Sequence, residues 1–440
     1  MSEEPKKVCI VTFGCQMNKL DSQLLRGELR SAGFRFADEP EEADVVLYNT
    51  CSVRDHAENR VLSHLGTYRR RARRQDGFVL GVIGCMAQRM GRELLSKFDH
   101  LSLLCGTRAL ERVPGHLRHI MAGGGPVVDL DGEGVPRLER RREMRTSPCQ
   151  AYVSAMRGCN NFCSYCIVPH VRGREVSRAP GEVVDEVRSL ADDGVCEVTL
   201  LGQNVNSYRH GETRLPGLLE RLNGVAGLER IRFVTSHPGD VTDDLLHAVA
   251  ELSKVCEHLH VPPQSGSDRV LERMRRGYTR REYLDMVRRA REVVPELALA
   301  GDFIVGFPGE TDEDFERTLD LLRRMRFQQA FLFKYSPRPG TRAAEWPDDV
   351  PDEVKRERHQ RLLAAQQEVD ATRRRAMVGR EVEVLVEGPS PQDPENFAGR
   401  TRQNDIVVFP ARQGTEGVVQ RLRIVDATTL TLFGEPPDRP

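Results

Sequence analysis

RGCNNFCSYCIVP, residues 157–169, is the stretch around which the rest of the chain is organised. It sets Cys159, Cys163 and Cys166 at C-x3-C-x2-C spacing on a short polar and aromatic loop. Three thiolates on such a loop can each bind one iron of a cubane 4Fe–4S cluster, leaving the fourth iron open to a small chelating molecule. A structural zinc ion would need a fourth Cys or His to close its tetrahedron, and His170 stands near enough to be that alternative.

The loop follows the first of six strand-like runs: AYVSAMRG (151–158), CEVTLLGQ (196–203), RIRFVTSH (230–237), HLHVPP (258–263), LALAGDFIVGF (297–307) and QQAFLFKYS (328–336). Helical periodicity lies between them, as in PGEVVDEVRSLADDG (180–194) and DEDFERTLDLLRRM (312–325). Six units rather than eight predict an open, partial (β/α)6 barrel over 145–376, with its chemistry at the C-terminal strand ends. Gly301, Ile304, Gly306 and Gly309 in GDFIVGFPGE are candidate cofactor contacts, because glycine lets backbone approach a ligand. A strand–turn–helix junction also uses glycines for its own sake. Arg172 and Arg174, just past the cysteine loop, are candidates for a cofactor carboxylate or an RNA phosphate, through the planar guanidinium fork. His237 and Gln264 end predicted strands and are lesser candidates for the pocket wall.

Upstream, residues 6–122 alternate β-rich and helical runs: VCIVTFG (8–14), DSQLLRGELRSAG (21–33), ADVVLYNT (43–50), then a basic helix and FVLGVIG (78–84). That alternation predicts a parallel sheet with flanking helices. The glycine-rich and charged stretch 121–145 reads as a linker. Cys15, Cys51 and Cys85 each follow directly on a predicted strand. Strand C-termini of a parallel sheet emerge at one edge, where open α/β folds bind ligands. The three thiols are therefore expected to converge on a second 4Fe–4S cluster. Three buried small residues are the other reading. Cys105 also ends a likely strand and competes as a ligand, while Cys9, Cys149, Cys196 and Cys256 sit mid-strand or at strand starts and read as structural. Downstream, 378–440 is short and strand-rich, which predicts a small all-β barrel.

Bulk properties are ordinary for a soluble globular protein. The 440 residues are 30% charged and 39% hydrophobic, with no apolar run long enough to span a bilayer and no signal-peptide layout at the start, so a cytoplasmic protein is expected. In that reducing compartment the eleven cysteines point to metal or catalysis rather than disulfides. A net charge of −1 does not announce nucleic acid, although Arg69, Arg70, Arg71, Arg73 and Arg74 cluster, as do Arg137, Arg140, Arg141, Arg142 and Arg145. Each cluster is either a phosphate contact or a solvated face.

CNNFCSYC on a six-unit strand–helix block resembles the radical S-adenosylmethionine (SAM) superfamily. FGCQMNKLDS (13–22), YNTCSVRDHAENR (48–60), GCMAQR (84–89), QSGSDRVLERMRRGYTR (264–280), DFIVGFPGET (302–311) and FKYSPRPGT (333–341) are similar to its methylthiotransferases, across nearly the whole chain. The resemblance implies that Cys159, Cys163 and Cys166 hold the cluster that binds SAM and cleaves it to a 5′-deoxyadenosyl radical. It implies that Cys15, Cys51 and Cys85 hold an auxiliary cluster, that Gln16 and Asn18 stand beside it, and that the last block is a TRAM RNA-binding domain. The GCQMN and TCSVR forms favour the branch that converts N6-isopentenyladenosine at tRNA position 37 to its 2-methylthio form, over sister branches acting on threonylcarbamoyl-adenosine or a ribosomal protein. tRNA, an electron donor and a sulfur source are the implied partners of a monomer. Pro263 departs from the branched apolar residue usual in the family, and acidic residues interrupt the arginines of the last block.

Overall fold

The computed structural model describes residues 5–52, 55–132, 138, 140–410 and 414–437; Arg137 of the second basic cluster lies outside them. The chain forms two compact units. The first takes residues 1–146 with two later segments, 156–160 and 166–176; the second takes 147–155, 161–165 and 177–440.

The first unit is built on a six-stranded parallel sheet in the order β2-β1-β3-β4-β5-β6. Its strands are β1 (Lys7–Phe13), β2 (Arg35–Phe36), β3 (Val45–Thr50), β4 (Val79–Ile83), β5 (Leu103–Cys105) and β6 (Val127–Asp129). Central β3 and β4 are buried along their whole length, as expected of parallel strands covered on both faces. Period-2 alternation divides their side chains: Val46, Tyr48, Leu80 and Val82 enter one apolar cluster, Val45, Leu47, Val79 and Ile83 the other. One expectation fails here. The stretch 121–145 is not linker throughout, because Val127–Asp129 pairs in parallel with β5 and closes the sheet's edge. Two adjacent valines suffice for three residues of edge strand, and the glycines before them mask the signal.

In the second unit six parallel strands follow: β7 (Gln150–Ser154), β8 (Glu197–Leu201), β9 (Arg230–Val234), β10 (His258–His260), β11 (Ala298–Val305) and β12 (Gln329–Lys334). They pair as β9-β8-β7 and β10-β11-β12, and an isolated parallel bridge, Ile231 to Val255, links β9 to the segment that enters β10. The partial barrel read from the sequence is therefore present. β10 is short because Pro262 and Pro263 have no amide hydrogen to donate to a ladder. Five further strands, β13 (Glu381–Pro389), β14 (Phe397–Thr401), β15 (Ile406–Phe409), β16 (Val419–Ala427) and β17 (Leu432–Glu435), close into a barrel. Its core is Val384, Val386, Phe397, Val407, Phe409 and neighbours.

That barrel docks on the N-terminal ends of β8 and β9 through arginines. Arg232 Nε donates to the Glu197 carboxylate at 2.9 Å, while its Nη1 and Nη2 donate to the carbonyls of Arg402 and Thr401 at 2.8 and 2.7 Å. Arg230, 0% exposed, donates to the Arg400 carbonyl at 2.6 Å and to Glu383. Replacing Arg232 with alanine leaves Glu197, 3% exposed, as an uncompensated buried charge, a loss of about 3–5 kcal/mol. Denaturant unfolding should show a lower midpoint; a midpoint equal to the parent's would contradict this account of the docking. Among the described residues no helix is long and apolar enough to cross a membrane.

Candidate functional site

Strand-to-helix turns present the upstream cysteines. Cys15 is the N-cap of the helix Gln16–Ser31, Cys51 follows β3, and Cys85 opens the helix Cys85–Met90 directly after β4. Gly84 makes that last turn possible: its φ is +84°, and a Cβ there would lie 2.4 Å from Asn49 Oδ1. A polar shelf supports the thiols. Cys15 Sγ donates to Asn18 Oδ1 at 3.2 Å, Asn18 Nδ2 donates to Asn49 Oδ1 at 3.0 Å, and Asn49 Nδ2 donates to Ser22 at 2.9 Å. The Cys15 thiol is brought down to about 5, first by its hydrogen bond with Cys51, against burial, and further by the Arg172 charge. Burial pushes the Cys85 thiol up, with Arg172 opposing.

Arg172 is thus placed differently from the cofactor-carboxylate or RNA-phosphate role considered for it. It is 5% exposed, and its Nη2 donates to Asp21 at 3.1 Å, while Arg157 binds the other Asp21 oxygen. Arg174 is exposed. Cys105, by contrast, is 0% exposed and lies in the apolar cluster with Val8, Leu25 and Val113. Burial raises its thiol strongly, which disfavours the thiolate that a metal needs. Gln16 is exposed.

Within the downstream loop, Cys159 and Cys166 belong to the first unit and Cys163 to the second. Gly158, with φ +81°, turns the chain into Cys159; a Cβ there would lie 2.0 Å from the Arg174 carbonyl oxygen. In the second unit, Cys163 accepts a hydrogen bond from Arg276 Nη1 at 3.4 Å. Arg276 is 7% exposed and also donates to the Pro262 carbonyl at 3.1 Å and to the Tyr278 hydroxyl oxygen. His237 packs edge-on to Tyr278 at 5.5 Å, and burial lowers its pKa to about 3, so it is neutral. Gln264 holds a left-handed backbone, φ +65°, where its carbonyl accepts from Ile304 N. The glycines of GDFIVGFPGE have structural reasons: a Cβ on Gly301 would meet Phe327 and Pro263 at 2.9 Å, and one on Gly306 would meet Lys355 at 2.3 Å. Gly309 turns at φ +77° beside Arg273.

Sequence reasoning did not single out Asp21, Arg157, Arg276 or the pair His260–Asp302, whose Nε2 and Oδ1 are 3.3 Å apart on neighbouring strands. His260 stands edge-on to Phe331, which with Phe333 is about 40% exposed. Such a group can stack a ring and hydrogen-bond its edge. All lie in or beside motifs quoted above, but their pairing has no local signal.

Both cysteine sets are soft, sulfur-only donors with a buried guanidinium at hand, which suits anionic iron–sulfur clusters. Among the described residues no three ligating side chains are set at metal-binding geometry.

Known proteins resemble the chain in the same three blocks. The Uncharacterized protein family UPF0004 matches residues 7–106, the Radical SAM superfamily 153–322 and the TRAM domain 375–436. A tRNA-2-methylthio-N(6)-dimethylallyladenosine synthase from Moorella thermoacetica is 46% identical over 100% of both chains. One from Syntrophotalea carbinolica is 43% identical over 98% of this chain and 99% of its own. In fold, the chain is similar to the radical SAM methyltransferase TsrM from Kitasatospora setae, solved with cobalamin and a [4Fe-4S] cluster. The TM-score is 0.56 at 16% identity, over 78% of this chain and 77% of that one.

Proposed function

The chain belongs to the family of tRNA-2-methylthio-N(6)-dimethylallyladenosine synthases, and from that premise we infer that it converts N6-isopentenyladenosine at position 37 of tRNA to the 2-methylthio nucleoside. It is a radical SAM enzyme that uses SAM and 4Fe–4S clusters. When bound, these groups supply a radical able to take hydrogen from an unactivated C–H bond, together with sulfur and a methyl group. The chain's residues bind, aim and shield. In this reading Cys159, Cys163 and Cys166 ligate the cluster that binds SAM, with Arg276 donating to the Cys163 sulfur. Cys15, Cys51 and Cys85 ligate the auxiliary cluster, with Asn18 and Asn49 fixing the approach of Cys15. Gly301 and Ile304 within β11, and Gly306 and Gly309 in the turn that follows it, would be the backbone that the cofactor approaches. His260, Asp302 and Phe331, on the neighbouring strands β10, β11 and β12, offer hydrogen bonds and a ring face.

Three regions carry this division of labour: 6–122 for the auxiliary cluster, 145–376 for the radical core and 378–440 for RNA. Position 37 lies in the anticodon loop, where a base can be splayed out without melting a helix. Arg402 is engaged with Glu257 at 2.8 Å, and Arg400 and Arg423 with Glu387 and Glu435, so the arginines of the β-barrel are largely spent internally. RNA grip there rests on shape and stacking more than on net charge. The enzyme acts as a cytoplasmic monomer served by an external electron donor and sulfur source.

The observation that carries the reading is full-length identity of 46% joined to two cysteine sets at loop and strand ends. The test is nucleoside mass spectrometry of isopentenylated tRNA after anaerobic incubation with reconstituted protein, reductant and SAM. Accumulation of the 2-methylthio nucleoside is expected. Formation of 5′-deoxyadenosine with unchanged tRNA would overturn the substrate while leaving the radical site standing.

A further inference from the structure

Asp21 is fully buried in the first unit and faces two guanidiniums, Arg157 and Arg172, whose side chains are 5% and 4% exposed. One carboxylate between two cations leaves a surplus buried positive charge, which is unfavourable unless an anion answers it. Arg172 Nη1 points the same way: it is buried and has no hydrogen-bond partner among the described residues. A guanidinium can hardly shed its proton, so Nη1 calls for an acceptor, and the sulfur its side chain interacts with is that of Cys85. Its neighbours Ile167 and Val171 pack on Cys85, which brings the guanidinium's segment against that thiol. Arg157, which also reaches the Thr107 carbonyl at 3.4 Å, positions Asp21 from the other side.

Resting on the reading that Cys15, Cys51 and Cys85 ligate the auxiliary cluster, we propose that Arg172, held by Asp21, is that cluster's counter-charge, donating Nη1–H to one of its sulfurs and raising its reduction potential. Adding one electron makes the cluster more anionic, and a fixed cation beside it favours the reduced form. Hydrogen bonds to the sulfurs of such clusters act in the same direction. Arg172 is therefore a positioning residue for the sulfur-donating half of the reaction rather than a SAM or RNA contact. This also accounts for a charged residue in the helix Val168–Arg172 turning inward, beside Ile167 and Val171, which pack on Cys85.

The test uses the full chain with Cys159, Cys163 and Cys166 all replaced by alanine, so that only the auxiliary cluster loads. After anaerobic reconstitution with iron and sulfide, an EPR-monitored dithionite titration reads the potential, without tRNA or SAM. In Arg172→Gln the reduced-to-oxidised ratio at a fixed poise should fall at least tenfold, about 59 mV for a one-electron couple. Arg172→Lys, which keeps the charge, should stay closer to the parent. Asp21→Asn, which leaves the cations unopposed, should shift the potential upward. Equal potentials in parent, Arg172→Gln and Asp21→Asn overturn the proposal. If Arg172→Gln holds no cluster, the Asp21→Asn shift decides, and no shift or a downward one overturns it. A parent that binds no iron would instead overturn the ligand reading beneath the proposal.

Discussion

Cys163→Ala is expected to bring 5′-deoxyadenosine and the 2-methylthio nucleoside down to background, a loss on the order of 10³-fold or more. The effect is large because, in the proposed reading, the residue supplies one of three protein ligands in the C-x3-C-x2-C loop, and two thiolates do not hold a cubane in place. The surroundings make substitution by a neighbour implausible. Gly158 and Phe162 both adopt left-handed backbone, at φ +81° and +47°, which winds the loop into one shape. Ser164, next to Cys163, is tied down by its amide to the Met274 carbonyl at 3.0 Å and by its hydroxyl to the Arg273 carbonyl at 2.8 Å. Arg276, buried, would lose the sulfur to which it donates and be left partly unpaired. Iron should fall by one cluster, with the other set of cysteines still loaded. Wild-type 5′-deoxyadenosine formation by this variant would remove Cys163 from the site.

Cys51→Ala and Cys105→Ala should behave oppositely, although both cysteines end strands of the same sheet. The first should lose about half of the bound iron, one of two clusters, and all methylthio product, while 5′-deoxyadenosine still forms. The second should keep its iron and lose only stability. The physical difference is the environment of each thiol. Cys51 shares a hydrogen bond with Cys15, whose thiol is held near 5. Cys105 is enclosed by aliphatic side chains, and its sulfur finds only the Gly106 carbonyl, at 3.7 Å. A thiolate there is disfavoured by burial and by the Asp129 charge, with Arg112 opposing. Iron analysis of the two purified variants checks this directly. Retention of iron in Cys51→Ala with loss in Cys105→Ala would reverse the assignment.

Much of this was legible in residue order because its causes are local or periodic. The C-x3-C-x2-C spacing is a property of one loop. The upstream cysteines required one more step, that parallel strands end on a common edge, and hydrophobic runs as continuous as VVLYNT make the strands plain. Harder cases were those where local signals compete. Val127–Asp129 pairs at a sheet edge despite the glycines ahead of it, because β5 offers an unpaired ladder that nothing local records. The HLHVPP run reads as a longer strand than His258–His260, since apolar pattern alone does not register the missing proline amides.

The residue order by itself determined the parallel α/β sheet, the partial barrel, the closing β-barrel and both sets of candidate ligands, since each follows from periodicity, turn chemistry or spacing within a short window. Tertiary structure alone decided which charges meet. Asp21 and Arg172 are separated by 151 positions, Arg276 and Cys163 by 113, and Arg232 and Arg402 by 170. A guanidinium on a short helix after the cysteine loop looks like a ligand contact until folding buries it against a carboxylate. Burial removes water as the alternative partner, so only the packed chain can settle what each buried ion must bind.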